Sequence, residues 1–441
     1  MELTAADAME FIRDNDVKFI RLAFCDIFGT LKNCAVMADE LPRAFADGFG
    51  FDASSVPGFA SIDQSDMLLF PDPSTLALLP WRPQQGRVAR FYCDIRYPDG
   101  RPFEGDGRRL LKKTVEMTRE KGYTCRVGAE CEFYLFETDE RGNPTCRPQD
   151  EAGFMDVAPL DRGENVRREI CLALEELGIA PVSSHHELGP GQNEVDFKYA
   201  EALETADNLI TFKMAVKTIA SLNGLHASFL PKPLPCQGGS GLHVNLSLLR
   251  EGHNLFRSGR EPAEHSSEAE SFIAGILNRV KEMTAFLNPL TNSYRRFGAF
   301  EAPLYIAWSH QNRSELVRIP AASGENLRME LRSPDPTCNP YLAFSLLIAA
   351  GMEGIERNQP LSPASNFDLN AADESRLQEL DSLPSSLIEA LEAAKKSTFL
   401  PQVLPADTLA KYLRLKREEW QQYQQSQDKD TFESARYFGR F

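Results

Sequence analysis

The feature that most constrains the fold of this chain is a pattern that recurs in four segments, where charged or polar residues alternate with apolar ones. The segments span residues 129–136, 184–196, 242–248 and 328–332. Successive side chains of a β-strand point to opposite faces, so each segment predicts strand structure with one polar face. Several such strands favour a sheet that covers a hydrophobic core on one side and lines a polar cavity on the other.

Acidic residues dominate the first two segments. Glu130 and Glu132 share a strand face, and two adjacent carboxylates repel each other unless a cation lies between them. An exposed polar face is the common alternative for such a pair. Two histidines and three acidic residues lie within residues 185–196, around a Gly-Pro-Gly turn. This cluster indicates a cation site, with a polar hairpin as the alternative.

The other two segments add an imidazole and guanidinium groups. His243, Asn245 and Ser247 share one face, and the glycines before them would let a ligand approach the backbone closely. These glycines do not form a dinucleotide-binding fingerprint. Arg328 and Arg332 flank a glutamate in the last segment, for which an exposed ion-pair ladder is the alternative.

The four polar faces together predict a cavity lined by glutamates, a histidine and arginines. Such oxygen-rich ligands suit hard cations such as Mg²⁺ or Mn²⁺, and no cysteine spacing fits a zinc–thiolate site. Further arginines, at positions 295, 296, 313 and 318, could bind phosphate or carboxylate through forked hydrogen bonds. Because no P-loop is present, the residues alone predict a divalent-metal enzyme that handles a phosphate and a carboxylate by other means.

The composition indicates which kinds of binding partner and which cellular compartment to expect. With 64 acidic and 48 basic residues the net charge is −16, which disfavours binding to nucleic acid. The longest apolar run, near residues 342–352, is too short to cross a bilayer, and no signal peptide is visible. Nine cysteines without a Cys-x-x-Cys pair fit a reducing compartment. We therefore expect a cytoplasmic protein with no membrane partner.

The chain is expected to divide into two domains. A turn-rich stretch at residues 97–107 is the best linker candidate, which places the boundary near residue 103. Residues 1–103 are predicted to mix strands and helices, and residues 104–441 to alternate strands with helices. Helices are predicted at about 108–121, 165–177, 206–223, 268–287, 341–356 and 408–427.

The motifs resemble those of bacterial type I glutamine synthetases from about residue 10 to the C-terminus. The matching motifs are Phe-Asp-Ala-Ser-Ser at 51–55, Glu-Cys-Glu-Phe at 130–133, His-His-Glu through Gly-Gln-Asn-Glu at 185–194, Gly-Ser-Gly-Leu-His at 239–243, Asn-Ser-Tyr-Arg-Arg at 292–296, Asn-Arg-Ser through Val-Arg-Ile-Pro at 312–320, and Arg-Met-Glu-Leu-Arg at 328–332. The resemblance implies an α+β fold with a small N-terminal β-grasp-like domain, residues 1–103. It also implies a large catalytic domain, residues 104–441, in which helices surround a curved antiparallel sheet lined by polar residues. A homo-oligomer, usually a dodecamer of two hexameric rings, is implied as well.

The resemblance also implies roles for individual residues. Two or more Mg²⁺ or Mn²⁺ ions would be held, one by Glu132, Glu187 and Glu194 and a second by Glu130, His243 and Glu330. The other implied sets are Tyr199, Asn245, Ser247, Arg318 and Arg328 for ATP; Gly239, Arg296, Arg313 and Arg332 for glutamate; Asp52, Ser55, Phe154 and Glu187 for ammonium; and Asp52, Glu301 and Arg318 for catalysis. Asp52 and Ser55 would reach the site from a neighbouring subunit.

The activity implied is ATP-dependent ligation of ammonia to the γ-carboxylate of L-glutamate through a γ-glutamyl phosphate. Ala53 and Phe154 depart from the usual Gly and Tyr, which leaves open a γ-glutamyl ligase acting on a larger amine. A non-catalytic protein of this fold and a guanidine kinase are further alternatives. No tyrosine lies between Tyr341 and Tyr412, so control by adenylylation of a C-terminal loop is not expected.

Overall fold

The computed structural model describes residues 3–441 except 258–264, 323, 366 and 370. Its N-terminal part contains the helices α1 (Ala5–Asp14) and α2 (Leu41–Asp47). The strands of this part are β1 (Val17–Cys25), β2 (Leu31–Met37), β3 (Phe49–Asp52), β4 (Asp66–Pro71), β5 (Ala77–Leu78) and β6 (Arg87–Arg96).

The N-terminal sheet has a core of its own. Its strand order is β2-β1-β6-β4-β3, with β5 beside β6. β1 and β6 run parallel, whereas the other pairs are antiparallel. Ile20, Leu22 and Phe91 are fully buried in this core together with Ala8 of α1, because the apolar residues of the strands and the helix face one another.

The larger part begins at α3 and alternates strands with helices. Its helices are α3 (Gly107–Glu120), α4 (Glu164–Glu176), α5 (Ala202–Leu222), α6 (Ser267–Leu287), α7 (Pro340–Glu356), α8 (Glu374–Leu377), α9 (Leu387–Lys396), α10 (Leu400–Val403), α11 (Ala406–Gln425) and α12 (Lys429–Glu433), followed by a π-helical turn, Ser434–Phe438. Its strands are β7 (Tyr123–Thr138), β8 (Pro144–Pro148), β9 (Pro181–His186), β10 (Gln192–Phe197), β11 (Ala200–Glu201), β12 (Leu225–Ser228), β13 (Leu242–Arg250), β14 (His253–Asn254), β15 (Trp308–His310), β16 (Val317–Ile319) and β17 (Met329–Leu331).

The long strand β7 is central to the second sheet, whose order is β15-β16-β17-β13-β7-β10-β9. β8, β11 and β12 also pair with β7, and β14 pairs with β13. Only β15 and β16 run parallel among the named pairs of this sheet. The apolar faces of β7 and β13, which carry Cys131, Phe133 and Leu246, are buried in one core with helices α5, α6 and α7. The predicted fold class is therefore confirmed.

A buried ion-pair network joins the two parts of the chain. Arg108, which is 5% exposed, donates from Nη1 to Asp72 at 2.9 Å and to Asp94 at 3.2 Å, and from Nη2 to Asp207 at 2.8 Å. Arg108 lies just past the proposed boundary at residue 103, which stays a prediction.

All nine cysteines are free. None of the helices among the described residues is long and apolar enough to span a membrane.

Candidate active site

Strand pairing places the acidic residues and the histidine side by side on the polar face of the second sheet. Glu130 of β7 lies directly opposite His243 of β13, and Glu132 lies opposite Glu194 of β10. β17 pairs with the other edge of β13 and brings Glu330 to the same face. Directly opposed residues in antiparallel strands share a face, so residues far apart in the chain meet here.

Glu130, His243 and Glu330 form a first group of potential metal ligands, whose ligand atoms all lie within 4.8 Å of one another. His243 Nδ1 lies 3.5 Å from Glu130 Oε2 and 3.6 Å from Glu330 Oε1. Arg318 and Arg332 each donate to one oxygen of Glu330 at 2.6 Å. Burial opposes ionisation of Glu330, but the nearby His243 and the two arginines outweigh it and lower its pKa.

His185, Glu187 and Glu194 form a second such group, again within 4.8 Å. His185 Nε2 lies 2.8 Å from Glu187 Oε1. Glu132, which the sequence placed with Glu187 and Glu194, is not in this group: its Oε2 accepts from the backbone N–H of Gly241 at 2.9 Å. The Oε1 of Glu132 lies 3.8 Å from His243 Nε2, so Glu132 is adjacent to the first group as well.

The carboxylates of the two groups lie close together and are largely buried. Burial, followed by the charges of Asp196 and Glu132, raises the pKa of Glu194 to about 12. Burial also raises the pKa of Glu132, against the opposing effect of His243. A divalent cation would offset this repulsion, and carboxylate oxygens with an imidazole are ligands that Mg²⁺ or Mn²⁺ accepts. The residues present therefore fit a metal site.

Except for the more deeply buried Glu330, the members of both groups line a cavity of about 830 Å³. The sequence-predicted residues in its wall are Glu130, Glu132, Phe154, Glu187, Glu194, Gly239, His243, Arg296, Glu301, Arg313, Arg318, Arg328 and Arg332. Five glutamates, counting Glu301 at the rim, and five arginines thus surround one space. Such a cavity can hold a multiply charged anion together with cations.

The arginines of the cavity differ in how many hydrogen bonds hold their side chains in place. Arg296 is 3% exposed and donates to the backbone carbonyls of Ser333 at 3.0 Å and Arg332 at 3.1 Å, so its position is determined by the loop after β17. Arg313 is exposed, and no hydrogen bond from it to another described residue is present. A Cβ at Gly239 would lie 2.5 Å from the Pro231 carbonyl oxygen, so only glycine fits against this wall.

A second cavity of about 640 Å³ adjoins the first, and both have Glu130, Asp196 and Arg328 in their walls. Tyr199, Asn245 and Ser247, three of the residues predicted to bind ATP, line this second cavity. Arg328 Nε donates to Asn245 Oδ1 at 2.7 Å, which places its guanidinium at the junction of the two cavities.

Comparison with models of known protein families shows to which family the chain belongs. The family model described as "Glutamine synthetase, beta-Grasp domain" matches residues 16–98. The model described as "Glutamine synthetase, catalytic domain" matches residues 104–435. The chain belongs to the glutamine synthetase family.

Relatives and solved structures agree with this assignment. The chain is 48% identical to a glutamine synthetase of Clostridium saccharobutylicum over 95% of this chain and 96% of the relative. It is 46% identical to a glutamine synthetase of Methanosarcina mazei over 95% of each chain. A structure titled "GmaS/ADP complex" superposes with a TM-score of 0.87 at 32% identity, covering 97% of this chain and 98% of the other. Plasmodium falciparum glutamine synthetase superposes equally well, with a TM-score of 0.87 at 26% identity over 99% and 100% of the two chains.

Asp52 and Ser55 are the predicted site residues that the fold of one chain brings neither to the cavities nor to the two groups of potential metal ligands. They follow β3 in the N-terminal domain and line neither cavity. Asp52 instead accepts from Ser54 Oγ at 2.6 Å and from Ser55 Oγ at 3.0 Å, and these bonds lower its pKa. Asp52 and Ser55 are both exposed.

The two departures from the family motifs lie in different surroundings. Ala53 is fully buried in the N-terminal core, so its extra methyl group faces the interior of that domain. Phe154 is 51% exposed and lines the first cavity, with its ring 5.5 Å from that of His185. Of the two, only Phe154 can alter the surface that a substrate meets.

The sequence-derived ligand sets missed His185 and Asp196, although both lie in the cation cluster that the sequence indicated. Both line the first cavity, and the alternation rule that pairs His185 with Glu187, and Asp196 with Glu194, could have identified them. His186, the residue next to His185 in the chain, points to the opposite face, as strand alternation predicts. It is fully buried on the opposite face, where its Nε2 lies 2.9 Å from Asp150 Oδ1.

Proposed function

We propose that the chain ligates ammonia to the γ-carboxylate of L-glutamate, with ATP as co-substrate, through a γ-glutamyl phosphate that yields L-glutamine, ADP and phosphate. The observation that carries this proposal is the cavity in which two groups of metal ligands face a cluster of arginines. A carboxylate is a poor electrophile, and transfer of a phosphoryl group to it makes it reactive. The site offers ligands for the charge on both partners of that step.

Mg²⁺ or Mn²⁺ is the proposed metal, two or more ions per site. Glu130, His243 and Glu330 would hold one ion. Glu187 and Glu194 would hold another with Glu132, and His185 is a further ligand candidate. When bound, the ions would neutralise charge on the phosphates and on the transferred group.

Arginines and polar side chains would bind the substrates. Arg318 and Arg328 would contact the phosphates of ATP, and Tyr199, Asn245 and Ser247 its nucleoside in the adjoining cavity. Arg296, Arg313, Arg332 and the backbone at Gly239 would hold the glutamate carboxylates. Arg296 and Arg332 are buried, so their charges would act on a carboxylate in a region with little water, where charge-assisted bonds are strongest.

Ammonium must lose a proton before it can act as a nucleophile. Glu187 lines the cavity, and Asp52 with Ser55 would complete the ammonium site beside Phe154 from a neighbouring subunit. Glu301 would close over the intermediate, since its carboxylate lies 3.7 Å from Arg332 Nη2 at the cavity rim. Exclusion of water by this loop would protect the acyl phosphate from hydrolysis.

We further propose a cytoplasmic dodecamer of two hexameric rings, with domains at residues 1–103 and 104–441. Neither nucleic acid nor membrane is a partner in this proposal. This proposal is supported by the exposure of Asp52, which lines neither cavity of its own chain and would complete the site of a neighbour.

The test is phosphate release from ATP in the presence of Mg²⁺ and L-glutamate, with ammonium compared against methylamine, ethylamine and putrescine. We expect ammonium to give the highest kcat/KM and the product to be glutamine. Relatives at 42–48% identity that are named glutamine synthetase favour ammonia over the larger amine that Ala53 and Phe154 left open. Turnover with an alkylamine alone would contradict the proposal, and Phe154→Tyr would then show whether this side chain sets the preference.

A further inference from the structure

A third cavity of about 800 Å³ lies apart from the two at the active site and has no wall residue in common with them. Three regions enclose it: residues 26–32 between β1 and β2, the exposed side of α5, and the C-terminal segment from α11 to Phe441. The cavity therefore touches the N-terminal domain, the catalytic domain and the end of the chain. Its volume falls within the range usual for small-molecule sites.

Cations on its wall exceed the acidic groups available to pair with them. Lys213 and Lys217 lie one turn apart on α5, and both face this cavity with Arg440. Lys217 Nζ donates to the backbone carbonyl of Arg440. Burial, and then the charge of Lys213, lower the pKa of Lys217 to about 8. Within the described residues, neither Lys213 nor Arg440 forms an ion pair.

The acidic residues of the wall already have cationic partners. Asp26 lies 3.7 Å from Lys32 Nζ, and Glu419 lies 3.3 Å from Lys416 Nζ and 3.6 Å from Arg436 Nη2. The remaining acid, Glu418, accepts from Arg414 at 2.8 Å. Two half-buried lysines and an arginine are thus left without an acidic side chain as a partner, in a chain whose overall charge is strongly negative.

Apolar side chains form the rest of the wall. Phe28, Ile210, Met214, Phe229 and Leu290 line it, and Phe28 and Met214 are the partly exposed residues among these five. A simple inorganic ion would leave this apolar surface in contact with water. A molecule with an apolar body and an anionic group would satisfy both parts of the wall.

We propose that this cavity is a binding site for a small organic anion, an aromatic or other apolar molecule that bears a carboxylate or a phosphate. Its anionic group would lie between Lys213, Lys217 and Arg440, and its apolar body against Phe28 and Met214. Because residues 26–32 and the C-terminal segment both contribute wall, occupancy would stabilise the contact between the N-terminal domain, α5 and the end of the chain. The proposal does not depend on the activity proposed above.

The test uses the fluorescent probe anilinonaphthalene sulfonate, which has an aromatic body and one anionic group. The full-length protein is titrated with the probe while saturating Mg²⁺ and ADP occupy the nucleotide site. We expect one probe molecule per chain. The double variant Lys213→Gln/Lys217→Gln should weaken its binding at least about tenfold, because two charge-assisted bonds are lost. The matched control is Lys395→Gln/Lys396→Gln, which removes two exposed lysines at the end of α9 and should leave the affinity unchanged.

Displacement of the probe by benzoate or by phenyl phosphate then distinguishes a carboxylate from a phosphate as the preferred anionic group. Equal probe affinity in the two double variants would overturn the proposal. A change in the mass of the assembly in Lys213→Gln/Lys217→Gln, measured by light scattering, would also overturn it, since the lysines would then lie at a subunit contact. If that variant does not fold, hydrogen exchange of the unmodified protein decides. The probe should slow exchange in α5 and in residues 436–441, and unchanged exchange in both would reject the site.

Discussion

Neighbouring side chains shift the pKa values of individual carboxylates in this chain in opposite directions. Glu130 lies against His243 and Asn245, and although burial opposes it, the bond to His243 lowers its pKa to about 2. Glu194 faces other carboxylates, so burial and their charges raise its pKa to about 12. Two glutamates on adjacent strands of one sheet therefore differ because the sheet gives them different neighbours.

Replacement of Glu132 by alanine tests the metal assignment. We expect Glu132→Ala to lower kcat at least about a hundredfold at saturating Mg²⁺, because a proposed ligand and the acceptor for the Gly241 N–H are lost. The measurement is ammonium-dependent phosphate release. Glu137→Ala is the control, since Glu137 lies on the same strand, pairs with Arg147 at 2.9 Å and lines neither active-site cavity. Near-normal turnover of Glu132→Ala would contradict the assignment.

Glu315 should make stability depend on pH. It is fully buried, its Oε2 has no hydrogen-bond partner, and burial together with Asp368 raises its pKa to about 8. The folded state therefore keeps a proton that the unfolded state releases at its ordinary pKa of 4.5, so stability falls as pH rises between these values. As the pH rises from about 5 to about 8.5, the free energy of unfolding of Glu315→Gln should increase by roughly 1–3 kcal/mol relative to that of the wild type. Urea unfolding measures this difference. Exposed Glu140→Gln should show no such gain, and parallel pH profiles for wild type and Glu315→Gln would refute the prediction.

Secondary-structure elements approach closely where glycines allow it. Gly275 of α6 and Gly354 of α7 face each other, and a Cβ at Gly275 would lie 2.2 Å from the Ala350 carbonyl oxygen. The two helices pack behind the sheet that carries the ligand groups, in the same core as Leu246 and Phe133. Their separation therefore supports the geometry of the site from behind.

Substitution at this crossing tests how closely the helices must pack. Gly275→Ala should lower the free energy of unfolding by about 1–3 kcal/mol, because backbone has to move to admit the methyl group. Urea unfolding at one fixed protein concentration measures this change. Gly439→Ala is the matched control, because no other atom lies within 4 Å of its added Cβ and its φ is −77°. A loss of stability equal to that of the control would show that the helices separate freely.

The whole molecule holds its two domains together by buried polar contacts and leaves one functional loop on the surface. Arg108 bridges Asp72, Asp94 and Asp207 across the domains, and removal of one partner would leave buried charge unpaired. Asp52, by contrast, is exposed in the same N-terminal domain and does not reach the cavities of its own chain. The architecture thus fits a site completed between chains.

Mixed assemblies test this arrangement. Asp52→Ala and Glu132→Ala should each be nearly inactive alone, since one lacks the donated residue and the other the receiving site. Assembled together in equal amounts, about a quarter of the sites would pair an intact Asp52 with an intact Glu132, and about a quarter of wild-type activity should return. Mixing the two variants after each has assembled is the control. No recovery in the co-assembled sample would show that Asp52 and Glu132 act within one chain.

Strand alternation is a local property, and for that reason the sequence by itself determined which residue types share a face. It placed Glu130 with Glu132 and His243 with Asn245 on polar faces, and the motifs around them identified the family and its fold. The helices were also predictable to within a few residues, as α3, α6 and α7 show, because amphipathic spacing and capping residues such as Asp106 and Asn339 are local.

Tertiary structure alone decided which faces meet. The order β17-β13-β7-β10 joins segments that are far apart in the chain. It places Glu132 opposite Glu194 and brings His185 together with Glu187 and Glu194. Tertiary structure also buried Ala53 in the N-terminal core and formed the third cavity beside Lys213 and Lys217, neither of which any sequence pattern indicated. Long-range register depends on how the complete core packs, so residues within one segment do not carry that information.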